Sequence, residues 1–192
     1  MSGTRTRRPR ADAQRNREHI LAAADGALRE QGTGASLEGI ARQAGVAIGT
    51  LYGHFPNRRA LCAALLRERH AALFTLGGEL PGRVSALDAL AQWMGAVAVH
   101  AAAYRGLAAL LMEGLDDQAS ELHEACGRMA AITESLLSAA REAGAVRGDV
   151  TAADVHALMN AAAWMREQVP EDAAERLLGL LVNGLRPESK GR

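Results

Sequence analysis

The stretch SLEGIARQAGVAIGTLYGHFPNRRAL, residues 36–61, decides the fold. Ser36 has the side chain of an N-cap, so a short helix is expected over Leu37–Ala44. Gly45 interrupts it, because glycine leaves a helix in the left-handed conformation without strain. A second short helix fits Ala47–Phe55. Two helices that cross steeply need a small side chain where their backbones meet, and Ala41 supplies it. Ile40, Ala44, Val46, Leu51 and Phe55 are spaced to fill the wedge between them. Pro56 and Asn57 then open a further helix at Arg58. This is helix-turn-helix geometry, which holds the second helix clear of the body, free to enter a major groove.

Working outward, the punctuation marks helices on both sides. Residues 1–11 form a polar arm, expected to be disordered. A helix follows over Asp12–Gln31, with Ile20, Ala23, Ala24, Ala27 and Leu28 at the helical period and Gly32 to Gly34 as its stop. The helix from Arg58 runs to about Leu76, where Gly77-Gly78 and then Pro81-Gly82 mark the clearest boundary in the chain. Beyond it helices are predicted over Val84–Tyr104, Gly106–Leu115 and Ala119–Ala143, the last closed by Gly144. Thr151 caps the next, with Val150 stapled against Val155, and it runs to Gln168. Pro170 separates a final helix, Glu171–Leu185. No stretch alternates like a strand. The expectation is an all-α chain of about nine helices. It divides into a helix-turn-helix domain at 12–57, a connecting helix at 58–76, a C-terminal domain at 83–186 and a tail at 187–192.

Charge points to a partner for the first part alone. The net charge is zero, but residues 1–70 hold 12 of the 22 basic residues and only 6 of the 22 acidic ones. A basic N-terminal third on an acidic body suggests a polyanion there. No apolar run is long enough to span a bilayer and no secretory leader is evident, so a cytoplasmic protein without a membrane partner is expected. Cys62 and Cys126 fit neither a disulfide framework nor a zinc pattern and read as small buried hydrophobes. His123 and Cys126 share a helical face but have no evident third ligand, so no metal is expected. No nucleophile elbow, phosphate loop or zinc-hydrolase helix is present, and a non-enzyme without cofactor follows.

Arg58 and Arg59 stand in the first turn of a helix, where cations oppose the macrodipole. A phosphate there would reverse the sign of that argument. With Ser36 to Val46, then Gly49-Thr50-Leu51-Tyr52, His54-Phe55 and Arg58, the sequence closely resembles the N-terminal domain of the TetR family over about residues 15–66. The resemblance implies a DNA-binding regulator. Ile48, Gly49 and Thr50 would face base edges, with Ala47 and Gly53 in the same DNA-binding surface; Tyr52 and His54 would contact phosphate and sugar, with Arg58 and Arg59 at phosphates. Ser36 would cap the first short helix near a phosphate. Ile48 departs from the polar residue common at its place and offers only apolar contact. Gly53 departs too, having no side chain where a large one is usual. Arg5, Arg7, Arg8 and Arg10 of the arm could enter a minor groove or remain a solvated tail.

The C-terminal half carries two further expectations. Val155, Leu158, Ala162, Leu177, Leu178, Leu181 and Leu185 form stripes on the last two helices, either an intramolecular core or a twofold homodimer interface, as the resemblance implies. On the helix over Val84–Tyr104, Trp93, Val97, His100 and Tyr104 mix apolar bodies with polar tips. The resemblance implies a pocket for a small apolar effector, which they could line with Leu107, Leu111, Met129, Met159 and Trp164, though plain core is the better reading of each alone. What the resemblance implies for the whole is a homodimeric, ligand-responsive repressor on a palindromic operator, with the helix from Arg58 as its lever. The rival is a helical scaffold that reads no DNA.

Overall fold

The computed structural model describes residues 7–103 and 117–187, and these contain eight α-helices and no strand. We number them α1 (Arg7–Gln31), α2 (Leu37–Gln43), α3 (Ile48–His54), α4 (Arg58–Glu79), α5 (Ala86–Ala103), α6 (Asp117–Glu142), α7 (Ala152–Gln168) and α8 (Glu171–Gly184). The helix expected over 106–115 lies outside the described residues. The first helix begins at Arg7 rather than Asp12, so the arm is shorter than its composition suggested. Pro9 does not prevent this, because a proline in a first turn lacks only an N–H that has no intrahelical partner there.

Two compact units divide the chain, and the division falls inside α4, between Glu68 and Arg69. In the first, α1 packs on α2 and α3. Ile20, Leu21, Ile40, Leu51 and Leu61 are almost completely buried there, each stabilising by about 1.5–3 kcal/mol. Cys62 is buried beside them, and burial pushes its thiol pKa up, which leaves it protonated and inert. Cys126, by contrast, is exposed on α6, so the expectation of two buried cysteines fails for one.

The second unit is built around α5, which packs along α7 and against α8. Ser85 caps α5 by accepting from the Asp88 N–H. Leu87, Leu90, Trp93, Met94 and Ala98 are its buried face. The indole N–H of Trp93 donates to Thr133 Oγ1 at 2.9 Å, and that hydroxyl donates on to the Met129 carbonyl at 2.9 Å. Trp93 and Thr133 are both 0% exposed, so the pair satisfies two polar groups inside an apolar core. At the end of α6, Gly144 takes φ 66°, and the Ala145 N–H returns to the Ala140 carbonyl. Thr151 and Asp154 form a reciprocal capping box at the start of α7. The Thr151 hydroxyl and the Thr151 N–H, both donating to the Asp154 carboxylate, hold that carboxyl below its usual pKa.

The Gly77-Gly78 pair is not the boundary its composition suggested, for α4 runs through both. A Cβ at Gly77 would stand 2.8 Å from Trp93 Cζ3 and 2.9 Å from Ile132 Cγ2, whereas one at Gly78 would meet nothing within 4 Å. Gly77 is therefore a close-approach glycine. Gly77→Ala should destabilise by about 1–3 kcal/mol through overpacking, less the ~1 kcal/mol of helix propensity alanine restores. Gly78→Ala should stabilise by up to about 1 kcal/mol. Urea unfolding of the two variants checks the opposite signs.

Candidate nucleic-acid interface

The reading helix is oriented by two anchors. Leu51 is 0% exposed and Phe55 is 4% exposed, so the inner face of α3 is fixed at a four-residue spacing. Ile48, Gly49, Tyr52 and Gly53 consequently point outward, and all four are exposed, with Thr50 and His54 half-buried. Ala47 precedes the helix in extended conformation and is exposed. Neither glycine is demanded by packing, since a Cβ at Gly49 or Gly53 would meet nothing within 4 Å. The outer face thus exposes bare backbone between the side chains of Ile48 and Tyr52.

Its support comes from α2 and the turn. Gly45 takes φ 70°, as the left-handed exit requires. The Gly45 N–H returns to the Arg42 carbonyl and the Val46 N–H to the Ala41 carbonyl, which completes a Schellman motif. Ser36 Oγ accepts from the Gly39 N–H at 3.2 Å and donates to Glu38 at 3.0 Å. Backbone hydrogen bonding and that hydroxyl hold the exposed Glu38 carboxyl below its usual pKa.

Three residues make contacts that the sequence did not show. Asn57 caps α4, accepting the Ala60 N–H at 2.9 Å. Arg17, which the sequence did not single out, pairs with Glu68 at 2.8 Å and lies over the Phe55 ring at 5.7 Å. It ties α1 to the end of the reading helix and to α4. Arg58 does not reach outward as a free cation. Its Nη1 donates to the Thr33 carbonyl at 2.9 Å and to the Ala35 carbonyl. Arg59 is half-buried.

Residues 20–65 match the family model described as bacterial regulatory proteins, tetR family. Residues 85–187 match the C-terminal domain of SbtR-like transcriptional regulators. The TetR transcriptional regulator SCO0520 from Streptomyces coelicolor is 34% identical, with TM-score 0.71 over 90% of this chain and 99% of that one. The chain belongs to the TetR family of transcriptional regulators. A TetR transcription regulatory protein from Mycobacterium vanbaalenii is 32% identical, with TM-score 0.70 over 93% and 99% of the two chains. FadR from Bacillus subtilis, solved in complex with stearoyl-CoA, shares the fold at 21% identity and TM-score 0.62, over 88% and 99%. No curated protein matches. Membership of the TetR family makes this a DNA-binding transcriptional regulator with an N-terminal helix-turn-helix and a C-terminal helical domain. Among its described residues no helix is long and apolar enough to cross a membrane.

In the second unit of this TetR regulator the residues expected at a pocket separate. Trp93, Val97, Met129 and Met159 gather in one packed core, in which Trp93 and Met159 are fully covered. Trp164 lies at the surface, 55% exposed. His100 sits on α5 with its ring centroid 4.9 Å from that of His70 on α4. Burial first, then the charges of His70 and Arg69, push the His100 pKa down to about 4. Tyr104, Leu107 and Leu111 lie outside the described residues. The dimer candidates separate too. Val155, Ala162 and Leu185 are buried within the protomer, while Leu158, Leu177, Leu178 and Leu181 are half-buried. The exposed positions of the same helices include Ala157, Trp164 and Leu180, which the sequence stripes had not selected as interface. Among the described residues, no three His, Cys, Asp or Glu side chains gather as metal ligands.

Proposed function

We propose that this TetR regulator is a homodimeric, ligand-responsive repressor that binds a palindromic operator. The observation that carries the reading is the outward face of α3, with Ile48, Gly49, Tyr52 and Gly53 exposed above a buried Leu51. Ile48 and Thr50 supply methyl and hydroxyl contacts at base edges, and the bare backbone at Gly49 and Gly53 allows close approach. Tyr52 and His54 contact phosphate and sugar. Ser36, Ala47 and Arg59 lie close enough in sequence to join the contact surface.

The dimer rests on an unusual apolar exposure, Trp164 at 55% and Leu180 at 63% on α7 and α8. Beside Leu180 an open groove of about 580 Å³ is lined by Ala157, Leu158, Leu181 and Leu185, with Arg147 and Asp154 at its polar part. The effector is a small, mainly apolar molecule held in the second unit near Val97, His100 and Met129, all half-buried. A His100 with pKa near 4 is neutral at pH 7, so it offers a hydrogen bond rather than a charge to a polar tip. The effector releases DNA only to the extent that it binds the two states with different affinity.

Selection of bound duplexes from a random-sequence pool tests the reading. An inverted repeat with half-sites about 34 Å apart, or a multiple of it, is the expected product, and a pool without enrichment would remove it. On the recovered duplex, Tyr52→Ala should weaken binding about two- to tenfold at every sequence, as loss of one hydrogen bond to phosphate does. Thr50→Ala should change the preferred bases instead, which a repeat selection would read.

A further inference from the structure

We infer that Arg58 is a positioning residue of the DNA-reading head, a latch between α4 and the α1–α2 connection, and not a phosphate clamp. The inference rests on α3 being the DNA-reading helix. At the first position of α4 a guanidinium is misplaced with respect to that helix's dipole. Its Nη1, however, lies at the end of another run of helix. Gln31 ends α1, Gly32–Gly34 continues as a single 3-10 turn, and the carbonyls that accept from Arg58 are those of Thr33 and Ala35. Carbonyls at a helix end lack intrahelical donors and carry partial negative charge, so the cation is well placed there.

The consequence runs along the chain. Ala35 is 0% exposed, and the next residue is Ser36, whose Oγ accepts the Gly39 N–H and starts α2. Fixing the Ala35 carbonyl fixes the entry of α2. The buried Ile40 and Ala41 of α2, with the Schellman turn at Gly45, then set the angle at which α3 leaves. A lysine is one bond shorter than an arginine and ends in a single point charge, so it reproduces this two-carbonyl grip poorly.

Salt dependence separates a latch from a clamp, because each neutralised phosphate contributes about 0.9 to the slope of log K against log salt. The measurement uses the full-length protein and the duplex recovered by wild-type selection, well below the melting temperature of each variant. Arg58→Ala should lower affinity about tenfold with the salt slope unchanged, and Arg58→Lys should not restore it. Amide exchange at Gly39 and Ile40 should quicken in both variants. A slope that falls by about 0.9 for each half-site, with affinity restored by lysine, would overturn the inference in favour of a phosphate contact. So would a lower melting temperature with unchanged affinity, which describes a purely structural role. Should Arg58→Ala not fold, Arg58→Lys is measured alone, and wild-type affinity in it counts against the latch. A wild-type protein that enriches no duplex would instead remove the DNA reading of α3, a separate failure.

Discussion

Trp93→Ala is expected to destabilise the protein by about 3–5 kcal/mol, the cost of removing a fully buried aromatic and leaving a partly collapsed cavity. Trp93 is 0% exposed and packs in a core that includes Leu90, Met94, Leu137 and Met159. Its removal also costs Thr133 a hydrogen-bond partner, although the hydroxyl keeps its bond to the Met129 carbonyl. Urea unfolding should show a lower midpoint. Thr133→Val should cost about 1–3 kcal/mol by orphaning the indole N–H. Trp93→Phe with Thr133→Val should then cost less than the two single changes together, because no polar group is left unpaired. A loss below about 1 kcal/mol in Trp93→Ala would mean that the indole faces an open space and not packed core. That outcome would leave room at Trp93 for an effector.

Much of the fold was legible because its signals are local. Gly45 announces a left-handed exit from its neighbours alone, and it adopts φ 70°. Ser36 and Thr151 announce caps three residues ahead, and both accept from the expected N–H. Periodicity placed Leu51 inside and Tyr52 outside. The misreadings share one cause, a role set by a partner remote in sequence. Gly77 has the same composition signal whether it ends a helix or admits a close neighbour, and only Trp93 and Ile132 decide between them. The carbonyls that Arg58 reaches lie 23 and 25 residues earlier, beyond any local signal. On α7 and α8 the period marks an apolar stripe without saying which part faces the protomer. Val155 and Ala162 face inward, while Trp164 and Leu180 are left exposed.

Leu180→Glu should convert the proposed dimer into a monomer at micromolar concentration. Leu180 is 63% exposed in the protomer, so glutamate there has no desolvation cost until two copies meet. A twofold interface would then bring the substitution in twice, burying two like charges in an apolar patch that includes Trp164. Sedimentation should show half the wild-type mass, with helix content in the protomer retained. The expected effect on DNA is larger than that of any contact residue. A dimer holds its second head at millimolar effective concentration over the second half-site, and a monomer forfeits that factor of 10² or more. Leu180→Glu should therefore bind a duplex bearing one half-site nearly as well as wild type and lose the advantage of two. Trp164→Ala should act in the same direction more weakly, since a tryptophan at an interface commonly carries 2 kcal/mol or more of the association energy, about thirtyfold in the dimer dissociation constant. If both variants remain dimeric, association uses another surface, and the exposed tryptophan needs a different partner. If both are monomeric yet bind the full operator undiminished, dimerisation is not what gives this regulator its length of site.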